Sequence, residues 1–279
     1  MKIRAGYEIA YDCPQPTPMI LQVSVHPSRQ ADLISWDGVK FDPPIPANTY
    51  HDTFGNFCHV IRAPKGRLTI STDFLARDSG ELDEVAPHAM AHRLEELPVD
   101  ALIFLLGSRY CETDRLSDIA WSTFGHMPAG WAMVQAICDF AHARIKFGYE
   151  HASPSKTAFD AYTEQRGVCR DFAHLAITLC RCMNIPARYC TGYLGDMGTE
   201  PPYGPGDFAA WFEAYLGGRW YIFDPRNNVP RLGRILMARG RDATDVAMVT
   251  SFGPATLTNF WVFTDEVTEA VDRASAATG

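Results

Sequence analysis

The first hundred residues alternate in polarity. In residues 2–11, KIRAGYEIAY, the positions Ile3, Ala5, Tyr7, Ile9 and Tyr11 share one face. Met19, Leu21, Val23 and Val25 repeat the pattern, as do Leu68, Ile70, Thr72 and Phe74. A period of two marks half-buried strands. The segment FDPPIPANTYHDTFGN between them is rich in turn formers. These features predict an N-terminal antiparallel β-sandwich-like domain over residues 1–100.

The pattern changes after a linker near residues 98–112, and residues 101–279 are expected to form a second, mixed domain. In residues 130–146, Trp131, Val134, Cys138, Ala141 and Ile145 form a stripe at helical spacing. A short helix is expected at 157–165, ended by Gly167. Another starts near Cys169, with Phe172, Leu175, Ala176, Leu179, Cys180 and Met183 as its buried stripe, and stops at the Asn-Ile-Pro of 184–186. Strands are expected at 187–194, 209–216, 219–224 and 256–264. The fold class is α+β.

Composition narrows the function. The 279 residues are 47% hydrophobic, enough for a sizeable core, and carry a net charge of −8. That charge argues against a general nucleic-acid or anionic-membrane surface. No apolar run is long enough to span a bilayer, and the N-terminus lacks the apolar core of a signal peptide, so a cytoplasmic location is expected. The eight cysteines are irregularly spaced and include no CxxC pair, which favours reduced thiols over disulfides or a zinc ribbon.

Two stretches carry candidate chemistry. Gly217-Gly218 separates two alternating runs and signals a two-residue hairpin turn. In that register Leu216 faces Arg219, Tyr215 faces Trp220, Glu213 faces Ile222 and Trp211 faces Asp224. Residue 209 is then a diagonal neighbour of Asp224 on the same face, roughly 7–8 Å away at the backbone. A histidine there would be oriented by the carboxylate, but the residue is Ala209. The second stretch, RGVCRDFAHL, puts Cys169 at a helix start, where unpaired N–H groups and the helix dipole favour a thiolate. The plainer alternative is a helix-start residue tucked under the core.

The segments RGVCRDFAHLAITLCRCMNIPARYCTGYLGD, AWFEAYLGGRWYIFDPRNN and ARGRDATDVAMVTSFGP together resemble the transglutaminase-like superfamily of cysteine proteases, amidases and acyltransferases. The resemblance covers about residues 115–265. The N-terminal β region is similar to the domain that often precedes this core in bacterial members. The resemblance implies a papain-like core and a Cys-His-Asp triad, with Cys169 as nucleophile and Asp224 orienting the base. It also places the base in a His-Ala-Trp motif, where this chain reads Ala209-Ala210-Trp211.

No histidine follows His174. The alanine is read either as a substitution introduced to inactivate the site or as the mark of a base relocated to His126, His174 or His59. Acid–base assistance contributes about 10²–10⁴-fold, so amide substrates would suffer most and activated esters or thioesters least. Gln165 is a candidate oxyanion donor beside the Cys169 N–H. Trp211 and Trp220 are read as cleft wall or core, and Glu213 as an ion-pair partner or weak surrogate base. Residues 239–245 are read as a structural ion-pair loop. His88 and His92 have metal-pair spacing without a third ligand, and no metal or organic cofactor is implied. The expected function is a cysteine-dependent hydrolase or acyltransferase acting on peptide, amide or activated acyl substrates. The alternative is a natural pseudoenzyme that binds a peptide or acyl group in the same cleft.

Overall fold

The alternating N-terminal segments are strands in the computed structural model, which describes residues 1–200 and 206–267. They are β1 (Lys2–Cys13), β2 (Thr17–Leu21), β3 (Leu33–Trp36), β4 (Lys40–Asp42), β5 (Ala47–His51), β6 (Phe57–Ala63) and β7 (Gly66–Arg77). After an irregular segment come α1 (Val99–Leu102), α2 (Thr113–Phe124), α3 (Trp131–Arg144), β8 (Lys146–Phe147), α4 (Ala158–Glu164), β9 (Arg166–Gly167) and α5 (Cys169–Cys182). The chain then forms β10 (Ala187–Tyr193), β11 (Phe208–Leu216), β12 (Arg219–Phe223), β13 (Ile235–Gly240), β14 (Val249–Ser251) and β15 (Thr256–Glu266).

Two antiparallel sheets make the β-sandwich. One has the order β15-β1-β7-β3, with β4 also on β7; the other has the order β14-β2-β6-β5. Their facing side chains, among them Ile3, Tyr7, Ile9, Met19, Leu21 and Ile70, are all but inaccessible to solvent. Burying such a set is the main favourable term for a sandwich. The strand of residues 256–266 pairs with β1 from Ile3↔Glu266 to Asp12↔Thr256, and β14 pairs with β2. The sandwich is therefore closed by strands from the far end of the chain.

The second unit is an antiparallel sheet of order β12-β11-β10-β13 with α5 packed on one face. Along β11, Ala210, Phe212, Ala214 and Leu216 join the α5 core, while Trp211 and the half-buried Ala209 pack on the other face with Cys190 and Leu236. From Asp171 to Cys182 every residue of α5 is buried. Its charged Arg181 is satisfied by the carbonyls of Ala187, Leu106 and Arg241 and by the Ser108 hydroxyl. Strand β13 is the seam between the two units. Ile235 and Met237 enter the sandwich core, and the Asn56 side chain bonds Arg239 at both its N–H and its carbonyl. No helix among the described residues is long and apolar enough to cross a membrane.

Candidate active site

The nucleophile position is built by a tight strand-to-helix junction. β9 pairs in parallel with β8, Val168 caps α5, and the Asp171 carboxylate accepts the Val168 N–H at 2.9 Å. A Cβ on Gly167 would sit 2.5 Å from that carboxylate, so the junction closes only around glycine. Cys169 follows as the first helical residue. All eight cysteines are unpaired; seven are buried and Cys169 alone is half-buried.

Cys169 opens on a cleft of about 640 Å³, whose walls also include Tyr149, Asp207, Ala209, Ala210 and Asn227. The hairpin explains how β11 reaches the sulfur. Gly217 and Gly218 take φ of 55° and 87°, the left-handed pair of a type I′ turn. The ladder then runs from Leu216↔Arg219 to Phe212↔Phe223, in the expected register, and stops there. Ala210 lies two residues past the last β12 pair, so its N–H, aimed toward the side that β12 no longer covers, makes no ladder bond there. That N–H and the Arg170 N–H lie against the Cys169 sulfur.

Electrostatics work against ionisation. Burial of the sulfur pushes the Cys169 thiol up to about 11; the Asp207 carboxylate, and after it Asp224, push the same way, and the two backbone N–H groups offset them only in part. The thiolate expected from the helix start is therefore not the resting form at neutral pH. One or two aligned N–H groups do not outweigh desolvation together with two like charges.

Asp224 stands just behind the cleft wall. It accepts the Asn227 backbone N–H at 3.0 Å, the Asn227 side-chain amide at 2.7 Å and Arg234 Nη2 at 2.7 Å. Arg234 also donates to Asp83 at 2.9 Å and lies over the Trp211 ring, 5.1 Å from its centroid. Ala209 lines the cleft on the same strand face as Trp211. The structure thus gathers Cys169, position 209 and Asp224 at one end of β11.

No histidine lines the cleft among the described residues. His174 is buried in the α5 core between Tyr110 and Tyr189, where its Nε2 accepts the Ala243 N–H at 3.1 Å; burial drives its pKa down to about 3. His59 is bound to Ser24 in the sandwich, 2.8 Å from its hydroxyl. His126 is exposed beyond the end of α2.

Three other expected cleft residues lie elsewhere. Gln165 is exposed in the left-handed cap of α4, with φ of 56°. Trp211 is buried beneath Arg234. Glu213 is paired with Arg188 at 2.5 Å, and Arg188 covers Trp220. Strand alternation placed Trp211 and Glu213 on the face of residue 209, but away from the strand end the side chains of Arg234, Arg188 and Phe104 cover that face. The 239–245 loop holds the Arg241–Asp245 pair at 2.8 Å, and its Asp242 accepts the Tyr110 N–H, all away from the cleft. Sequence reasoning missed Asp207, Tyr149, Arg226 and Arg231. Asp207 and Arg226 directly adjoin the two hairpin stretches, and that adjacency was the available signal.

Fold and site together define a class: a papain-like α+β domain that presents a helix-start cysteine to the end of a β-hairpin. A model of the transglutaminase-like superfamily matches residues 122–225. The crystal structure of a candidate cysteine protease from Cytophaga hutchinsonii superimposes with a TM-score of 0.80 at 33% identity, covering 96% of this chain and 91% of that one. An uncharacterized protein of Mycobacterium leprae is 36% identical over 206 residues, 67% of this chain and 68% of its own length. An uncharacterized protein of Mycobacterium tuberculosis is 34% identical over 130 residues, 41% of this chain and 40% of its own. The chain belongs to the transglutaminase-like superfamily.

Proposed function

We propose that this chain is a cysteine-dependent acyl-transfer protein, a hydrolase or acyltransferase of the peptidase and amidase class. With alanine at position 209 it is confined to activated acyl donors. The observation that carries this reading is the placement of Cys169: the one half-buried cysteine of the eight, at a helix start, in a cleft, with two backbone N–H groups at its sulfur.

In the proposed reaction the sulfur attacks the carbonyl carbon of an ester or thioester. The new C–S bond pushes the carbonyl pair onto oxygen, and the thiol proton leaves to solvent base because no imidazole is at hand. Collapse of the oxyanion expels the alkoxide or thiolate with its bonding pair. Water or an amine then takes the acyl group and regenerates the thiol. An amide leaving group needs a proton donor matched to neutral pH, and no imidazole lines the cleft among the described residues.

A second reading, a binding cleft without turnover, draws support from the same missing imidazole and from a thiol held near 11. The eight unpaired thiols support a reducing compartment, and we place the chain in the cytoplasm. Incubation with p-nitrophenyl acetate followed by peptide mapping separates the two readings. Acetylation at Cys169 ahead of the other seven cysteines is expected. If Cys169 stays unmodified, or a different cysteine reacts first, the acyl-transfer reading fails and the binding reading stands.

A further inference from the structure

Four arginines are buried among the described residues: Arg181, Arg188, Arg231 and Arg234. Three of them have charge partners or several acceptors, although the Nη1 of Arg234 is buried without a partner. Arg188 is paired with Glu213, Arg234 with both Asp83 and Asp224, and Arg181 donates to three carbonyls and a hydroxyl. Arg231 is different. It is 8% exposed, and its guanidinium makes a single hydrogen bond, from Nη2 to the Gly195 carbonyl at 2.8 Å. Its Nε is buried with no partner, and among the described residues no carboxylate lies within ion-pair reach. Asp83 does not supply the missing charge, because its carboxylate bonds the Arg231 backbone N–H and the Arg234 side chain instead. Arg231 lines the same cleft as Cys169.

A second guanidinium stands nearby. Arg226 also lines the cleft, stacks on the Phe147 ring at 4.4 Å and donates to the Asn227 amide oxygen at 2.6 Å, again without a carboxylate partner among the described residues. Burial lowers the Arg231 pKa from its ordinary value; the charges of Arg234 and Arg226 act the same way, and those of Asp224 and Asp196 offset them in part. A buried, unpaired guanidinium is costly, and proteins keep one chiefly where an anion will meet it. Among the described residues no acid forms an ion pair with Arg231. Asp196, Asp265 and Glu266 are exposed at the cleft rim, and Asp207 faces the thiol.

We propose that Arg231, with Arg226, forms a carboxylate-binding subsite of the Cys169 cleft, so that the chain accepts acyl or peptide ligands carrying a carboxylate near the reacting carbonyl. The proposal deepens the acyl-transfer reading and rests on the same cleft, but it concerns binding alone. The planar fork of arginine matches a carboxylate in two-point fashion. The acidic rim disfavours loose anions and leaves the interior pair as the place where a tethered carboxylate is satisfied. The carboxylate has two sources in a peptide, a chain terminus or an acidic side chain.

The test needs no turnover. Cys169 is alkylated with iodoacetamide in the presence of two matched pairs of compounds: N-acetyl-Ala-Ala as free acid or as amide, and N-acetyl-Glu-amide against N-acetyl-Gln-amide. In at least one pair the carboxylate member is expected to protect Cys169 about tenfold better than its neutral partner, as charge-assisted hydrogen bonds imply. The pair that responds identifies the source. The preference is expected to vanish in Arg231→Gln and to weaken in Arg226→Gln. Thermal melts check that both variants fold, and because Arg226 is half-exposed, that variant decides the matter if Arg231→Gln does not fold. Equal protection within both pairs, no protection by any compound, or a preference unchanged in a folded variant overturns the proposal. A chain that binds selectively yet never turns over substrate would sink the acyl-transfer reading and leave the subsite intact.

Discussion

Replacing Ala209 with histidine tests the site geometry most directly. Ala209 lines the cleft beside Cys169, and Asp224 is held behind it by Arg234 and Asn227. An imidazole at 209 would reach the thiol on one side and the carboxylate on the other. With the thiol at about 11, about 0.03% is thiolate near pH 7.5. An imidazolium partner brings such thiols to about 7 or below, which raises the thiolate fraction on the order of 2,000-fold. The less basic thiolate is also a weaker nucleophile. With a Brønsted coefficient of about 0.4–0.5, a fall of about four pH units removes about 40–100-fold. The net expectation is alkylation of Cys169 by iodoacetamide about 20–60-fold faster near pH 7.5. The pH profile should change as well: the parent rate climbs with pH toward 11, whereas the variant rate levels off near neutrality. The assay is peptide mapping after timed quenching, with a thermal melt because overpacking costs roughly 1–3 kcal/mol. A folded variant with the parent's rate and profile would refute the reasoning, since position 209 would then not lie between Cys169 and Asp224.

Two further outcomes are expected. Arg234→Met leaves the buried carboxylate of Asp224 and the half-buried one of Asp83 without their shared counter-charge; breaking such a pair costs about 3–5 kcal/mol, so the melting temperature should fall on the order of 10 °C, and a fall under about 2 °C would contradict it. The fold should also lose stability in acid. Burial lowers His174 to about 3, His26 to about 4 and His59 in the same direction, against an unfolded value of about 6.5. The unfolded chain thus binds more protons below that value, and stability present above about pH 6.5 is lost as pH falls toward 4 and 3. Urea midpoints at about pH 7 and 5 measure the loss, and an unchanged or higher midpoint at the lower pH would contradict it.

Much of the molecule is written in local pattern. Alternation in β1, β2 and β7 marks their buried faces because a half-buried strand shows its environment every second residue. The Gly-Gly pair dictates the hairpin register, since only that turn accepts two left-handed residues cheaply, and the register in turn aligns β11 with β12. The start of α5 at Cys169 is legible from the residues around it. β13 was not legible. Ile235, Leu236, Met237 and Ala238 are all buried because both faces of the strand are covered, and a strand buried on both sides loses its alternation.

The site divides along the same line. Sequence alone indicated a helix-start cysteine and, from the hairpin register, residue 209 beside Asp224, because each is set by backbone geometry within a few residues; that the three share one site was implied by the resemblance. Only the tertiary structure decided how charged that site is. The Asp207 charge bears on the thiol, Asp83 reaches Arg234 across 151 residues, and Arg231 has no ion-pair partner among the described residues. Those are long-range electrostatic facts. They depend on which surfaces are desolvated and on which charges the fold brings close, and no local periodicity records either.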